Sequence, residues 1–426
     1  MRPTLILENG VAGALLGYGG VVKFPLARST RNSHNGKKEM KRILFSIGFV
    51  SLAALSVSLP RSFGQHLSAV PLDIEIRIAP MPVNANGMIH LLYELHLANF
   101  SARNIELVRI EVFDDSTIPK ILASYKDTDL TSRLAQPGAG QVPDKRLIAG
   151  GMRAVVFMEI EFDRGTRIPA RLQHRLFFKS ADGHGEDAIQ IAPVPVQRVL
   201  PPVVASPLRG AGWVALSGMS NTSGHRRTIV VVNGKARIAQ RFATDWVRGG
   251  ADGLAFRGDP AKLSNWSAYG AEVHSVSAGR VADVRDGIPE NDPSSEKKVV
   301  PITVESAPGN YIIIDLGNGY FSFYAHLQPH SIRVKKGDRV SRGQVIALLG
   351  NSGNSDSPHL HFHITDGNSP LGAEGVPYVL DAFEVLGTLT LKSLLIQGGW
   401  KPERGLVDKR RLEIPTENAV VRFPER

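Results

Sequence analysis

The chain has 426 residues, which is too long for one ordinary hydrophobic core. Its composition, with 42% hydrophobic and 21% charged residues, is that of a folded protein. Its net charge of +10 is spread out, without the arginine-rich helix or basic-aromatic interleaving of nucleic-acid binders, so we expect no nucleic-acid partner. The absence of cysteine excludes disulfides, a thiol nucleophile and cysteine-ligated zinc.

The first part of the chain has the pattern of an export region. Residues 1–39 show no consistent periodicity, and we interpret them as a disordered extension or as sequence upstream of the true translation start. A basic start followed by an apolar segment makes residues 40–64 a predicted signal peptide. The alternative is an uncleaved anchor, because the apolar segment is near the shortest length that spans a bilayer. We therefore expect export to the periplasm, cell envelope or exterior, with transient membrane contact through residues 40–60.

Residues 70–199 are predicted to form a mainly β domain of immunoglobulin-like sandwich type. The basis is a series of short alternating segments separated by turn clusters, in a chain rich in Gly (42) and Pro (27). The clearest predicted strands are Leu72–Ile78, Ile89–Leu97, Ile105–Phe113, Met152–Phe162 and His174–Phe178. Its scattered single histidines are expected to be structural, so the domain is predicted to position the protein or to bind an envelope protein.

A proline-rich stretch at 200–210 is the predicted linker to a second domain at 211–390, again built of antiparallel strands and turns. Residues 391–426 carry no motif and are predicted to be a C-terminal tail. Within the second domain, Asn233-Gly234 favours a two-residue hairpin turn, and another hairpin around Gly317–Gly319 ends at His326.

The most informative stretch alternates histidine with large apolar residues, which is the period of a strand with one buried face. It places His359, His361 and His363 on one face, opposite Leu360, Phe362 and Ile364. Each imidazole needs partners for two ring nitrogens, so three on one face predict a metal or catalytic site. Earlier in the chain, Asp245 lies within a mostly apolar segment, where a charge is costly unless it is paired or metal-bound.

Three consecutive segments resemble the lysostaphin/LytM-type zinc metallopeptidases, which cut peptidoglycan cross-link peptides. They are YAHL at 324–327, VKKGDRVSRGQVIALLGNSG at 334–353 and SPHLHFHI at 357–364. The similarity covers residues 211–385 and is most specific over 309–364. It implies an antiparallel β fold with a groove over the sheet, a Zn²⁺ cofactor and a peptidoglycan peptide as substrate.

The resemblance also assigns roles to residues. The family binds zinc through a histidine and an aspartate of a first motif and through the second histidine of an H-x-H motif, which implies that Asp245 and His361 are ligands. His326 and His359 would be the catalytic histidines, and which one moves the proton and which stabilises the oxyanion stays open. His363 stands where the family more often has an acidic or amide residue, and we expect it and Arg241 to support the ligands or line the groove.

One position departs from the family. Its first motif is H-x-x-x-D, and here Arg241 stands four residues before Asp245. We predict that His225 supplies the missing ligand. Extending the hairpin register places His225 opposite Phe242, on the wrong face, so we expect a bulge to aim it at the metal. His274 is the weaker alternative.

Three functions follow from these residues. The first is an exported zinc endopeptidase, the second a catalytically degenerate domain that acts as a wall-binding scaffold or hydrolase activator, and the third a metal-binding carbohydrate or wall-recognition module. The intact set of His326, His359 and His361 favours the first, since binding alone would not need two histidines beside a ligand. Arg241 keeps the second open.

Overall fold

A computed structural model describes residues 70–140, 142–180, 185–250, 252–395 and 407–425. The predicted extension and signal peptide lie outside the described residues, so export and membrane contact stay predictions. Among the residues that the structure describes, no helix combines the length and apolar character needed to cross a membrane. Pro71 and the described residues after it belong to one compact unit.

The first ten strands make two antiparallel sheets of five strands each, which we call the N-terminal sheets. The elements are β1 (Leu72–Glu75), β2 (Val83–Ala85), β3 (Met88–Asn99), β4 (Ile105–Phe113), β5 (Ile121–Lys126), helix Asp127–Ser132, β6 (Leu134–Ala135), β7 (Leu147–Ile148), β8 (Arg153–Asp163), β9 (Arg171–Ser180) and β10 (Asp187–Pro195). One sheet has the order β1-β3-β8-β6 with β2 beside β3, and the other β10-β9-β4-β5 with β7 beside β4.

The N-terminal sheets touch through a buried polar contact, in which the Tyr93 hydroxyl on β3 lies 2.7 Å from Nε2 of His174 on β9. The five predicted strands are all present, and the prediction of a mainly β protein with antiparallel sheets is confirmed. That the two sheets have immunoglobulin-like topology stays a prediction.

The remaining elements are mostly strands as well. They are β11 (Val203–Val204), β12 (Gly210–Leu216), helix Gly224–Arg227, β13 (Val230–Val232), β14 (Lys235–Arg237), β15 (Thr244–Arg248), the 3-10 turn Leu263–Asn265, β16 (Glu272–His274), β17 (Gly279–Arg285), β18 (Asn310–Gly317), β19 (Tyr320–Leu327), β20 (Arg339–Val340), β21 (Val345–Leu348), β22 (Leu360–Thr365), β23 (Gly375–Val376), β24 (Val379–Leu380), β25 (Phe383–Thr388), helix Leu391–Leu395, β26 (Asp408–Arg410) and β27 (Ala419–Phe423).

Eleven of these strands form one sheet in the order β20-β17-β18-β19-β22-β15-β12-β27-β25-β26, with β23 beside β22. The histidine-rich strand β22 therefore lies inside the sheet, between β19 and β15. Its apolar residues Leu360, Phe362 and Ile364 are fully buried in the largest hydrophobic cluster, as the alternation predicted. That cluster also includes Leu92 from the N-terminal sheets, so the two regions share one core.

The sheet extends past the predicted limits of the second domain. β11, from the predicted linker, pairs in parallel with β24. β27, from the predicted tail, lies between β12 and β25 and pairs with both. A five-residue strand without a motif could be placed there only by its tertiary partners.

The predicted hairpin turn at Asn233-Gly234 is present, with Val232 opposite Lys235. The expectation that this register continues to His225 through a bulge is wrong. Pairing stops at Val230, and residues 224–227 form a short helix instead. His225 is therefore aimed by a helix and not by a strand.

Gly353 should be far less replaceable than Gly319, although both have positive φ, of 75° and 80°. A Cβ on Gly353 would lie 2.6 Å from the Ala307 carbonyl oxygen, whereas a Cβ on Gly319 meets nothing within 4 Å. We expect Gly319→Ala to cost about 1 kcal/mol of unfolding free energy and Gly353→Ala about 3 kcal/mol or more in urea denaturation. Equal losses would contradict the close packing of this loop.

Candidate metal centre and active site

The centre starts from a cross-strand pair. In the antiparallel pairing of β15 with β22, Asp245 lies directly opposite His361. Residues opposite each other project to the same face of a sheet. His361 Nδ1 consequently lies 2.9 Å from Asp245 Oδ1, with both side chains buried. Sheet register alone thus brings together two of the three predicted metal ligands.

The third predicted ligand, His225, reaches the same carboxylate from the helix Gly224–Arg227. Its Nε2 lies 3.2 Å from Asp245 Oδ2. Its Nδ1 lies 3.1 Å from the carbonyl oxygen of Ser217. A carbonyl can only accept, so Nδ1 carries the proton and donates it. In the neutral ring, the Nε2 lone pair then faces the carboxylate.

The two predicted catalytic histidines follow the same rule. His359 Nδ1 lies 2.8 Å from the Ser357 carbonyl oxygen, and His326 Nδ1 lies 2.8 Å from the Ser352 carbonyl oxygen. Both rings therefore donate from Nδ1 and leave Nε2 for chemistry. Their ring centroids are 4.7 Å apart, and His359 Nε2 lies 3.4 Å from Asp245 Oδ1.

His326 holds its position with a strained backbone. It is at the end of β19 and has φ of 60°, a left-handed conformation that costs a residue with a Cβ roughly 1–2 kcal/mol. Its amide donates to the Pro308 carbonyl, and its own carbonyl accepts from the Gly350 amide. Such strain persists only where surrounding contacts over-determine it, as at functional sites.

His363 lies behind the centre and is completely buried. Its Nδ1 is 2.9 Å from His361 Nε2, and its ring packs on Phe323 at 4.8 Å between centroids. When His361 Nε2 donates to His363, the His361 lone pair stands on Nδ1, toward Asp245. His363 is thus placed to fix the tautomer and orientation of His361.

The charges at the centre depend on one another. Burial on its own would raise the pKa of Asp245, but the adjacent His225 and His359 rings hold it well below its usual range. Burial acts in the opposite sense on those two rings, and the Asp245 carboxylate outweighs it and raises the pKa of both. The carboxylate and these two imidazoles therefore favour their charged forms in each other's presence.

The other two rings favour the neutral form. Burial lowers the pKa of His361 to about 4, against an ordinary value of 6.5, although the Asp245 carboxylate opposes this shift. Burial, together with the neighbouring His359 and His361 rings, places the pKa of His326 well below its usual range. The centre thus holds neutral imidazoles in a buried setting, the form in which histidine binds metals and accepts protons.

These donor atoms suit a divalent cation. His225 Nε2, the Asp245 carboxylate and the His361 ring offer ligand atoms that all lie within 4.8 Å of one another, and all three residues are buried. Two nitrogens and one carboxylate are a donor set that zinc accepts with one position left open.

A pocket opens over these groups, and it is the natural place for a substrate. His225, Asp245, His326, His359 and His361 all line it. The rest of the wall is mostly apolar, with a few polar side chains and one further carboxylate. It includes Leu216, Thr228, Val230, Gln240, Val247, Phe323, Asn354, Asp356, Leu371 and Leu391. Gln240 was not predicted at the site, because it belongs to no motif and reaches the pocket only through the fold.

Two further predicted residues lie elsewhere. Arg241 is buried but turns away from the centre, with Nε 3.0 Å from Glu94 Oε2 and Nη2 3.0 Å from Glu374 Oε2. His274, the weaker ligand candidate, is on β16, with Nδ1 3.1 Å from the Gly343 carbonyl oxygen. The structure therefore groups His225, and not His274, with Asp245 and His361.

A second histidine–carboxylate group occurs in the N-terminal sheets. His90 Nδ1 lies 3.2 Å from Glu159 Oε1 and 3.7 Å from Glu161 Oε1, and Nε2 lies 3.3 Å from the Ala85 carbonyl oxygen. Both ring nitrogens have oxygen partners within the protein, and Glu161 is half exposed. We assign it a structural role.

Residues 265–372 match the family described as Peptidase family M23. The match includes His326, His359, His361 and His363, and it begins after His225 and Asp245. The predicted resemblance to a peptidase family is confirmed, and the divergent first motif lies outside the matched residues.

Curated relatives carry related names. The chain is 48% identical over 65 residues to the peptidoglycan DD-endopeptidase ShyA of Vibrio cholerae, and 40% identical over 80 residues to ShyB of the same organism. The alignments cover 15% and 19% of this chain and 15% and 18% of those relatives, so less than a fifth of either relative is matched. The solved catalytic domain of the prophage-encoded M23 protein EnpA from Enterococcus faecalis is similar at 18% identity, with a TM-score of 0.24, over 41% of this chain and 93% of that one.

Acid should destabilise the metal-free protein through His361. The pKa of His361 in the folded protein is about 4, below the ordinary value of 6.5. Between these two pH values the unfolded chain binds a proton at this residue and the folded chain does not. The free energy of unfolding therefore falls as the pH drops from about 6.5 to about 4. Urea unfolding of chelator-treated protein at about pH 7 and about pH 4.5 measures the loss. His361→Gln should lose less than wild type, and the exposed His330→Gln should match wild type. Identical losses in all three would contradict a buried neutral His361.

Proposed function

We propose that this chain is an exported zinc metalloendopeptidase that hydrolyses peptide bonds in peptidoglycan cross-links. The observation that carries the proposal is the convergence of His225, Asp245 and His361 within 4.8 Å beside His326 and His359 in one pocket. The M23 family match supports the reaction class. The names of the curated relatives support the substrate.

The zinc would be held by His225 through Nε2, by an Asp245 carboxylate oxygen and by His361 through Nδ1. When bound, zinc with three protein ligands lowers the pKa of a water and polarises a carbonyl group. His363 keeps the His361 ring in the tautomer that this ligation needs, because it accepts from Nε2. Ser217 does the same for His225 from the other side of the centre.

The two remaining histidines divide the proton chemistry. Burial holds His326 neutral, and its Nδ1 donates to the Ser352 carbonyl. The lone pair is therefore on Nε2, which is suited to accept a proton from the attacking water. His359 donates from Nδ1 to the Ser357 carbonyl and lines the same pocket, so its Nε2 is placed to carry a proton, stabilise the oxyanion and protonate the departing amine. Ser352 and Ser357 orient both rings through their carbonyls.

The location follows from the substrate. Peptidoglycan peptides lie in the cell envelope, so the predicted signal peptide at 40–64 would deliver the enzyme to them. The overall basic charge of +10 favours attraction to an anionic envelope surface. The competing hypothesis of a degenerate scaffold drew on Arg241, and the approach of His225 Nε2 to Asp245 Oδ2 at 3.2 Å weighs against it.

Zinc content distinguishes these hypotheses. The purified chain should hold one zinc, and His225→Ala and His361→Ala should each reduce it to a small fraction, because each removes one of three ligands. His330→Ala, at an exposed histidine, is the matched control and should keep the metal. A wild-type protein that takes up no added zinc would favour the scaffold function instead.

Catalysis and metal binding should separate at the other two histidines. His326→Ala and His359→Ala should keep the zinc but lose about 10²–10⁴ in kcat on peptidoglycan cross-link peptides, the usual contribution of general acid–base groups. The pH profile should lose its lower limb in His326→Ala, since that ring must be neutral to accept a proton. Retention of wild-type kcat in either variant would contradict its assigned role.

A further inference from the structure

We propose that the N-terminal sheets position two of the proposed metal ligands. One buried carboxylate of these sheets, Glu94, contacts both the chain segment that carries His225 and the segment that leads to Asp245. The inference rests on the proposed metal-dependent function and deepens it. It assigns Glu94, Arg226 and Arg241 as positioning residues that touch neither metal nor substrate.

The first anchored segment is the helix that carries His225. Arg226, the next residue, is 1% exposed and points into the N-terminal sheets. Its Nη2 donates to the carbonyl oxygens of Met158 at 2.6 Å and Tyr93 at 3.2 Å, and its Nε lies 3.5 Å from Glu94 Oε1. The helix has only four residues, so a shift of Arg226 moves His225 with it.

Other contacts fix the same segment to the same region. Asn221 Nδ2 donates to the Phe157 carbonyl oxygen at 3.1 Å, and Arg227 Nη2 donates to the Ser132 carbonyl oxygen at 2.6 Å. Residues on both sides of His225 are therefore tied to backbone of the N-terminal sheets and the helix beside them. No strand pairing holds residues 221–227 among the described parts of the chain.

The second anchored segment leads into β15. Arg241, four residues before Asp245, contacts both oxygens of Glu94, at 3.2 Å and 3.0 Å from Nε. It also donates to Glu374 at 3.0 Å and to the Gly375 carbonyl oxygen at 3.0 Å, next to the β22–β23 pairing. Arg241 therefore joins the N-terminal sheets to the strands that carry Asp245 and His361.

These contacts are stable only as a set. Glu94, Arg226 and Arg241 are at most 4% exposed, and a buried charge without its partner costs several kcal/mol. Burial alone would raise the pKa of Glu94, and the guanidinium groups of Arg241 and Arg226 lower it instead, so the carboxylate is charged between them. One anion thus fixes the spacing between the His225 segment and the Asp245 segment.

The zinc affinity of the full chain tests this, measured by competition with a chromogenic chelator. Glu94→Gln and Arg226→Met should bind zinc at least about tenfold more weakly than wild type, the usual loss when an outer partner of a ligand is removed. The matched control is Arg164→Gln. It breaks a different contact between the N-terminal sheets and the rest of the chain, the ion pair of Arg164 with Glu413, and it should leave zinc affinity unchanged.

Urea unfolding of the metal-free variants provides the second readout, because a merely structural role would lower stability and leave the affinity of the folded fraction intact. If Glu94→Gln or Arg226→Met does not fold, the zinc affinity of Arg226→Lys is the deciding measurement. This variant keeps the positive charge beside Glu94 and loses the guanidinium group that donates to two carbonyls. An affinity within threefold of wild type in the folded variants, or an equal loss in Arg164→Gln, would overturn the inference. Wild type that binds no zinc would instead overturn the proposed function.

Discussion

The buried carboxylate of Asp245 is the constraint on which the rest of the site depends. His225, His359 and His361 each place a ring nitrogen between 2.9 Å and 3.4 Å from its oxygens. An isolated carboxylate at this depth would cost many kcal/mol, so the strand tolerates it only while these partners, or a cation among them, are present. The sheet supplies one partner through register, and loops and a short helix supply the others. The precision of the centre is therefore limited by how firmly those irregular segments are held.

The elements that could be predicted from the sequence are the regular strands, and those that could not are the segments placed by distant contacts. β22, β15 and the hairpin that ends at His326 have local patterns, namely alternation, an apolar run around one charge and glycine-rich turns, and all were placed correctly. The approach of His225 was not, because a four-residue helix has no periodicity and takes its direction from distant backbone. β27 was missed for the same reason. Its five residues find their place only between β12 and β25. The roles of the site residues stay proposals, since their positions fit those roles without testing them.

Arg241 illustrates how a departure from a family pattern is understood only in three dimensions. In the sequence it stands where a ligand is expected, which suggests a damaged site. In the structure it turns toward Glu94 and Glu374, and His225, from another segment, approaches Asp245. Arginine suits the new task, because its planar fork pairs with two carboxylates and one carbonyl at once. Arg241 therefore joins a carboxylate of the N-terminal sheets to one that follows β22.

The place of β27 in the sheet sets an order in time. β12 is made some two hundred residues before β27, yet it has β27 as its neighbour on one side and the Asp245 strand on the other. Until residues 419–423 are available, β12 has no partner on the side away from β15, and the sheet that carries the centre is incomplete. Contacts this far apart in sequence also form late, because the long intervening chain must first lose its freedom. A nascent chain that has not yet reached residues 419–423 therefore lacks one of the two strands that flank β12 in the sheet of the centre.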